Sequence, residues 1–258
     1  PPEEQSIRAI HAALDAGVNL IDTADAYAKD ESEVGHNERL IAKALKAHPE
    51  GNKVTVATKG GMARPRGSWT MEGRPAKLQA ACEKSLVALG VDAITLYQLH
   101  GPDDRVPFED SVGELARLKQ EGKIRHVGLS NVTLEQLNSA QKIVRIESVQ
   151  NECNPSQSED VRTGLIRACA QQQVTYLPYS PVGGHWGHRS LAKNATLVKL
   201  ANAKNTSAYC IALAWLLAQG ANMVPIPGAS KVTSIRDSVK AVDVQLDVAD
   251  MKQITAVR

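Results

Sequence analysis

Aromatic side chains are nearly absent: they make up 3% of the 258 residues, with one Phe, three Trp and five Tyr. A core for this chain must therefore be assembled from Ala, Leu, Val and Ile. No apolar run approaches the ~18 residues of a membrane span, and the longest, around Tyr209–Ala218, is about ten. The four cysteines (Cys82, Cys153, Cys169 and Cys210) are scattered and form no CxxC pair. That spacing argues against a disulfide or zinc framework and for reduced thiols, so the cytoplasm is the expected compartment. Charge of one sign is lacking too, with 30 basic against 28 acidic side chains and a net charge of +2. No nucleic-acid footprint and no membrane partner are expected. GxGxxG is missing, which removes the usual signature of a dinucleotide-binding open sheet. The remaining composition, 43% hydrophobic and 22% charged, is that of an ordinary globular protein rather than a disordered, coiled-coil or fibrous one.

What is present is a regular alternation. Ile7, Ile10, His11 and Leu14 recur at helical spacing behind Pro2 and Glu3–Glu4, which predicts a helix over residues 3–16. Val18–Asp22 follows as a short strand. Further helices are predicted near 33–47, 77–89, 109–121, 133–142, 159–171, 190–219 (in two pieces) and 231–240. Strands are predicted near 53–58, 93–99, 124–129, 145–150, 174–178 and 222–226. Gly90, Gly122 and Gly220 stand where helix C-caps belong. VTVAT, ITLYQL, IRHVGL and MVPI are largely continuous apolar runs, the pattern of parallel strands buried on both faces. With no linker-like stretch, residues 1–258 read as one domain. Its length lies near the roughly 250 residues of a (β/α)8 TIM barrel, an α/β fold. The chain opens on a helix and supplies seven strands, so the expectation is that a first strand and N-terminal hairpin are missing from it.

In such a barrel the active site collects at the C-terminal ends of the strands. Those ends carry Asp22, Lys59, His100, Ser130–Asn131, Gln150, Tyr179–Ser180 and Pro227–Gly228. A carboxylate, an ammonium and an imidazole ending three successive strands are the strongest functional signal in the pattern. The lack of a carboxylate-rich cluster there disfavours a barrel lyase or hydrolase.

The ordered segments NLIDTADAY, VATKGG, YQLHGPD, GKIRHVGLSN, VQNE, LPYSPVGG and VPIPGAS resemble the aldo-keto reductase superfamily from about Gly17 to Val244. The resemblance places a catalytic tetrad on Asp22, Tyr27, Lys59 and His100. The chemistry is sound on its own terms. Carbonyl reduction needs a hydride at carbon and a proton at oxygen, and a phenol is a weak acid, with a reference pKa of about 10. A neighbouring ammonium stabilises the phenolate, a carboxylate holds the ammonium, and an imidazole can hydrogen-bond the carbonyl oxygen. Tyr27 is then the acid, Lys59 its perturber, Asp22 the anchor of Lys59, and His100 the carbonyl-binding partner. Singly, each has an ordinary role as a packed aromatic, a solvated lysine or a strand-end histidine.

The resemblance also implies a nicotinamide cofactor. Ser130, Asn131 and Gln150 would bond its carboxamide, and Tyr179 would stack on the ring. Ser180, Val182 and Gly183 would wrap the pyrophosphate through backbone amides. Gly228, Ser230, Lys231, Ser234 and Ser238 would hold the adenosine end. Ser130–Asn131 could equally cap a helix. NADPH is the expected cofactor, with NADH possible. Ser234 stands where the family often has an Arg for the 2′-phosphate, with Lys231 and Arg236 close enough to substitute. Cys153 replaces a common Tyr and reads as a small core residue. His185 and His188 have metal-pair spacing but no third ligand nearby, so no metal is expected. Trp186 and Trp69 read as walls of a substrate pocket, and Glu31–Glu33, Arg64 and Arg66 as solvated loop charges. HNERLIAKAL loosely resembles a bacterial-type branch that includes pyridoxal reductases. The expected function is NADPH-dependent reduction of an aldehyde or ketone by a monomer or weak homo-oligomer. The alternative is a catalytically weak, cofactor-binding regulatory or sensor subunit of the same fold.

Overall fold

A computed structural model describes residues 2–257. In chain order the first elements are α1 (Glu3–Asp15), β1 (Leu20–Asp22), α2 (His36–Lys46), β2 (Thr55–Gly60), β3 (Met62–Ala63) and β4 (Thr70–Met71). They are followed by α3 (Pro75–Leu89), β5 (Ile94–Leu99), α4 (Phe108–Gln120), β6 (Ile124–Ser130), α5 (Leu134–Ala140) and β7 (Ile146–Gln150). The last stretch holds α6 (Glu159–Thr163), α7 (Leu165–Gln171), β8 (Thr175–Tyr176) and α8 (Gly184–Leu191). It ends with α9 (Ala195–Ala203), α10 (Ala208–Leu217), α11 (Val232–Val239) and α12 (Val248–Thr255). These elements form two compact units, Gly17–Val149 and the remainder.

In the Gly17–Val149 unit the strand order is β1-β2-β5-β6-β7. The first three pairings are parallel, with Asp22 opposite Ala57, Lys59 opposite Gln98, and Gln98 opposite Gly128. The strands were legible because Ile94, Leu96, Leu99, Val127 and Leu129 are all buried, as a sheet covered on both faces requires. Between the strands the helices follow their end signals. Gly90 closes α3 in the left-handed conformation (φ 67°), and α5 begins with a capping box between Thr133 and Gln136. In α4, Glu109 and Asp110 occupy the first turn and Arg117 and Lys119 the last, complementing the helix dipole. The short antiparallel hairpin β3–β4 has no signal in the periodicity.

In the other unit α1 packs on α11, and the Gln5 amide donates to the Ser230 carbonyl at 2.8 Å. The longest apolar run forms α10, which is buried on nearly every side. Its Trp215 is fully buried and donates to Thr255 of α12 at 3.1 Å. Among the described residues no helix is long and apolar enough to cross a membrane.

Several predicted boundaries are corrected, each for a local reason. The helix at 159–171 divides at Gly164, whose φ of 84° ends one segment and starts the next. The stretch 190–219 belongs to three helices rather than two, because α8 begins early at Gly184. Residues 222–226 make only an isolated bridge, Met223 to Tyr176, since Pro225 and Pro227 have no amide hydrogen for a ladder. Pro178 likewise shortens the strand at 174–178 to two residues. Gly220 is not a C-cap, as α10 already closes at Ala218.

Two glycines should respond oppositely to alanine. A Cβ on Gly60 would lie 1.9 Å from the Tyr97 hydroxyl, whereas one on Gly113, inside α4, meets nothing within 4 Å. Gly60→Ala is expected to destabilise by about 1–3 kcal/mol, and Gly113→Ala to stabilise by roughly 0.5–1 kcal/mol. Urea unfolding of the two variants checks both signs.

Candidate active site

All four tetrad candidates lie in the Gly17–Val149 unit, and its register explains how they meet. Lys59 is the penultimate residue of β2, and its side chain is fully buried. Its ammonium donates to Asp22 Oδ2 at 2.5 Å, to the Thr23 carbonyl at 2.8 Å and to the Tyr27 hydroxyl at 3.1 Å. An ammonium has three hydrogens, so every one is used, and one points at the phenol. Burial alone would lower the Lys59 pKa, but the Asp22 carboxylate and then Tyr27 outweigh it, and the net shift is upward. The lysine is a fixed positive charge.

The turn after β1 carries the phenol. Ala24 and Ala26 are fully buried and anchor it, while the Tyr27 amide donates to the Ala24 carbonyl. Tyr27 itself keeps 37% exposure. His100 follows β5, with its amide bonded to the Gly60 carbonyl at 2.9 Å. Its ring meets the Tyr27 ring edge-on at 5.7 Å. Burial, helped by the like charge of Lys59, pushes the His100 imidazole down to about 3. At neutral pH the imidazole is therefore uncharged.

Two supporting residues escaped the sequence reading. Gln98 donates to Asp22 Oδ1 at 3.2 Å and accepts from the Ser148 hydroxyl at 3.2 Å. A Cβ on Gly128 would lie 2.3 Å from that hydroxyl, so the glycine makes room for the pair. The available signal was the period of two: Gln98 precedes His100 by two residues, on the same face of the chain. On the opposite face of β2, Thr58 donates to Glu38 at 2.6 Å. There Asp25 is buried with Oδ1 unpartnered, and desolvation followed by the Glu38 charge raises it to about 7.

Trp69 lies between β3 and β4, 55% exposed, with its ring centre 6.4 Å from those of both Tyr27 and His100. The expectation of a solvated Arg64 is overturned. It is 8% exposed, with its guanidinium 3.7 Å over the Trp69 ring, because the hairpin folds it back beneath the indole. Arg66 is exposed, and its backbone amide donates to Glu31.

Of the cofactor candidates, Ser130 and Asn131 stand beside His100. The Asn131 amide donates to the His100 carbonyl at 2.9 Å and to the Ser130 hydroxyl at 3.1 Å. The others belong to the second unit. Gln150 is buried, and Tyr179 is tied through its backbone to Asn151 and Cys153. Ser180, Gly183 and Gly184 have positive φ (48°, 89° and 60°) and lead into α8, which has no side-chain cap. Cβ atoms on the two glycines would fall 2.6 Å from neighbouring atoms, so this tight turn has no room for a side chain at either. Val182 packs against Cys210, Leu213, Ala214 and Ala241. Lys231 precedes α11, which also lacks a side-chain cap, while Gly228, Ser230 and Ser234 are exposed and Ser238 is half-buried. Cys153 is buried, and desolvation raises its thiol. His185 packs against the exposed Trp186, and His188 Nδ1 lies 2.9 Å from the Gly184 carbonyl.

Comparison with known proteins adds an independent line. The model of the aldo/keto reductase family matches residues 1–258. A probable aldo-keto reductase of Glycine max is 32% identical over 98% of this chain and 79% of its own length. Glycerol dehydrogenase from Gluconobacter oxydans superposes with a TM-score of 0.84 at 28% identity, over 98% of this chain and 85% of that one. An aldo/keto reductase from Klebsiella pneumoniae, solved with NADP and acetate, gives a TM-score of 0.82 at 24% identity, over 98% and 84% of the two chains. The α/β, (β/α)8-barrel class read from the sequence is that of these neighbours.

Asp25 gives the unit a definite pH signature. Its folded value of about 7 exceeds the ordinary 3.8, so the stability tied to its protonated form is lost as pH rises from about 4 to 7. Asp25→Asn removes that dependence. The difference in urea midpoint between variant and wild type should move in the variant's favour from pH 5 to pH 8.

Proposed function

The chain belongs to the aldo/keto reductase family, and from that premise we propose that it reduces an aldehyde or ketone to an alcohol with NADPH. The observation that carries this reading is the Lys59 ammonium, held between Asp22 and the Tyr27 hydroxyl. Tyr27 gives its proton to the carbonyl oxygen as the carbon is reduced. The phenolate left behind is stabilised by the Lys59 charge, and Asp22 keeps that charge in place. His100, uncharged at neutral pH, orients the carbonyl through a ring N–H.

The residues present fit a nicotinamide dinucleotide. The amide cradle of Ser180–Gly184 at the uncapped start of α8 suits a pyrophosphate, because unsatisfied helix N–H groups and nest-like turns attract anions. By the resemblance, Ser130 and Asn131 in the Gly17–Val149 unit offer groups for a carboxamide; in the other unit Gln150 offers another and Tyr179 a ring face. Lys231 just before α11 and Arg236 in its last turn supply cations, and Gly228, Ser230, Ser234 and Ser238, before and along that helix, would take the adenosine end. This supports NADPH ahead of NADH. When bound, NADPH supplies the hydride. Residues 1–258 then act as a single domain whose partner is a small carbonyl compound.

Nicotinamide absorbance with NADPH against a panel of aldehydes, pyridoxal included, tests the proposal. Tyr27→Phe should lose about 10²–10⁴ in kcat while its NADPH affinity stays unchanged. Turnover that survives in Tyr27→Phe overturns the acid assignment. Tight NADPH binding without reduction of any carbonyl favours a regulatory subunit instead.

A further inference from the structure

Arg64 has the surroundings of an interior charge without the partner that such a charge requires. It is 8% exposed, and only Nη2 is bonded, to the Lys29 carbonyl at 3.1 Å. Nε and Nη1 are buried with no hydrogen-bond partner. No carboxylate stands within ion-pair distance among the described residues; Asp30 feels the guanidinium only at longer range. Buried cations are ordinarily paired, and unmet donors on a charged group are costly enough that native structures keep them for a purpose.

The position suggests that purpose. The guanidinium stacks on one face of Trp69, and the same indole turns its edges to Tyr27 and His100. Arg64 is thus one aromatic ring away from the proton donor and the carbonyl-orienting histidine. Its tether to Lys29 holds it in place. Trp69 is more than half exposed, so the indole is the element that can give way to a ligand. An arginine fork matches a carboxylate in geometry and charge.

We propose that Arg64 is a specificity-determining residue that selects carbonyl substrates carrying an anionic group such as a carboxylate, which takes the free guanidinium N–H groups as the indole shifts. The proposal rests on the Tyr27-dependent reduction above and names its substrate class. A neutral carbonyl compound would react at the same centre but leave those donors unmet.

The test compares 4-carboxybenzaldehyde with its methyl ester, the same ring and aldehyde with and without the charge. Wild type should favour the acid by about tenfold to a hundredfold in kcat/KM, the range of a charge-assisted hydrogen bond. Arg64→Gln should bring the ratio near one, and Arg64→Lys should retain part of it. The ratio cancels any loss of folded enzyme, so a purely structural role for Arg64 would leave it unchanged. If the Arg64 variants do not fold, wild type alone decides, since its preference for the acid should shrink with added salt while ester turnover holds. Equal turnover of acid and ester by wild type, a preference indifferent to salt, or a preference that persists in Arg64→Gln overturns the assignment. Failure to reduce even the ester counts against the reductase reading itself, so the two failures are distinct.

Discussion

Burying a lysine ammonium is the constraint on which the site depends. Removing such a charge from water costs several kcal/mol, and the interior repays it only with close, well-directed partners. Lys59 has three of them: the Asp22 carboxylate, the Thr23 carbonyl and the Tyr27 hydroxyl. None can drift without leaving part of a charge unsolvated. The turn from Asp22 to Tyr27 is thereby tied to β2, and the phenol is held against a permanent positive charge.

The support for that ion pair spreads through the sheet. Gln98 reaches Asp22 because it stands opposite Lys59 in the parallel register, and Ser148 reaches Gln98 because Gly128 leaves space. A side-chain chain of this kind is costly if half satisfied and rigid if complete. Burial keeps His100 neutral, and the Lys59 charge adds to the effect. Arg64 is the counterpoint: also buried, but with two donors unmet. One cation has all its partners in the chain, and the other has a single carbonyl and an indole face.

Much of this was legible in advance. The Asp22, Tyr27, Lys59 and His100 positions follow from strand ends and ordered motifs, since parallel strands bring their C-terminal residues to one edge. Gln98 was open to a period-two argument from His100. Arg64 was not legible, because charged residues in loops are usually solvated and no local rule says that a hairpin will fold one under an indole. Asp25 was hidden for a similar reason, as its desolvation and its proximity to the Glu38 charge arise only in the closed fold. Residues 222–226 are apolar enough for a strand, but Pro225 and Pro227 lack the amides that a ladder needs.

The helix–strand alternation, the aliphatic core and the candidates for the site were readable from the sequence, because hydrophobic period, capping residues and strand-end polarity are local properties. Tertiary structure alone decided which ionisable groups lost their water and which of those found partners. Desolvation and charge pairing depend on neighbours remote in the chain, so a lysine, a histidine, an aspartate and an arginine that look alike as polar residues acquire different states only when the fold closes around them.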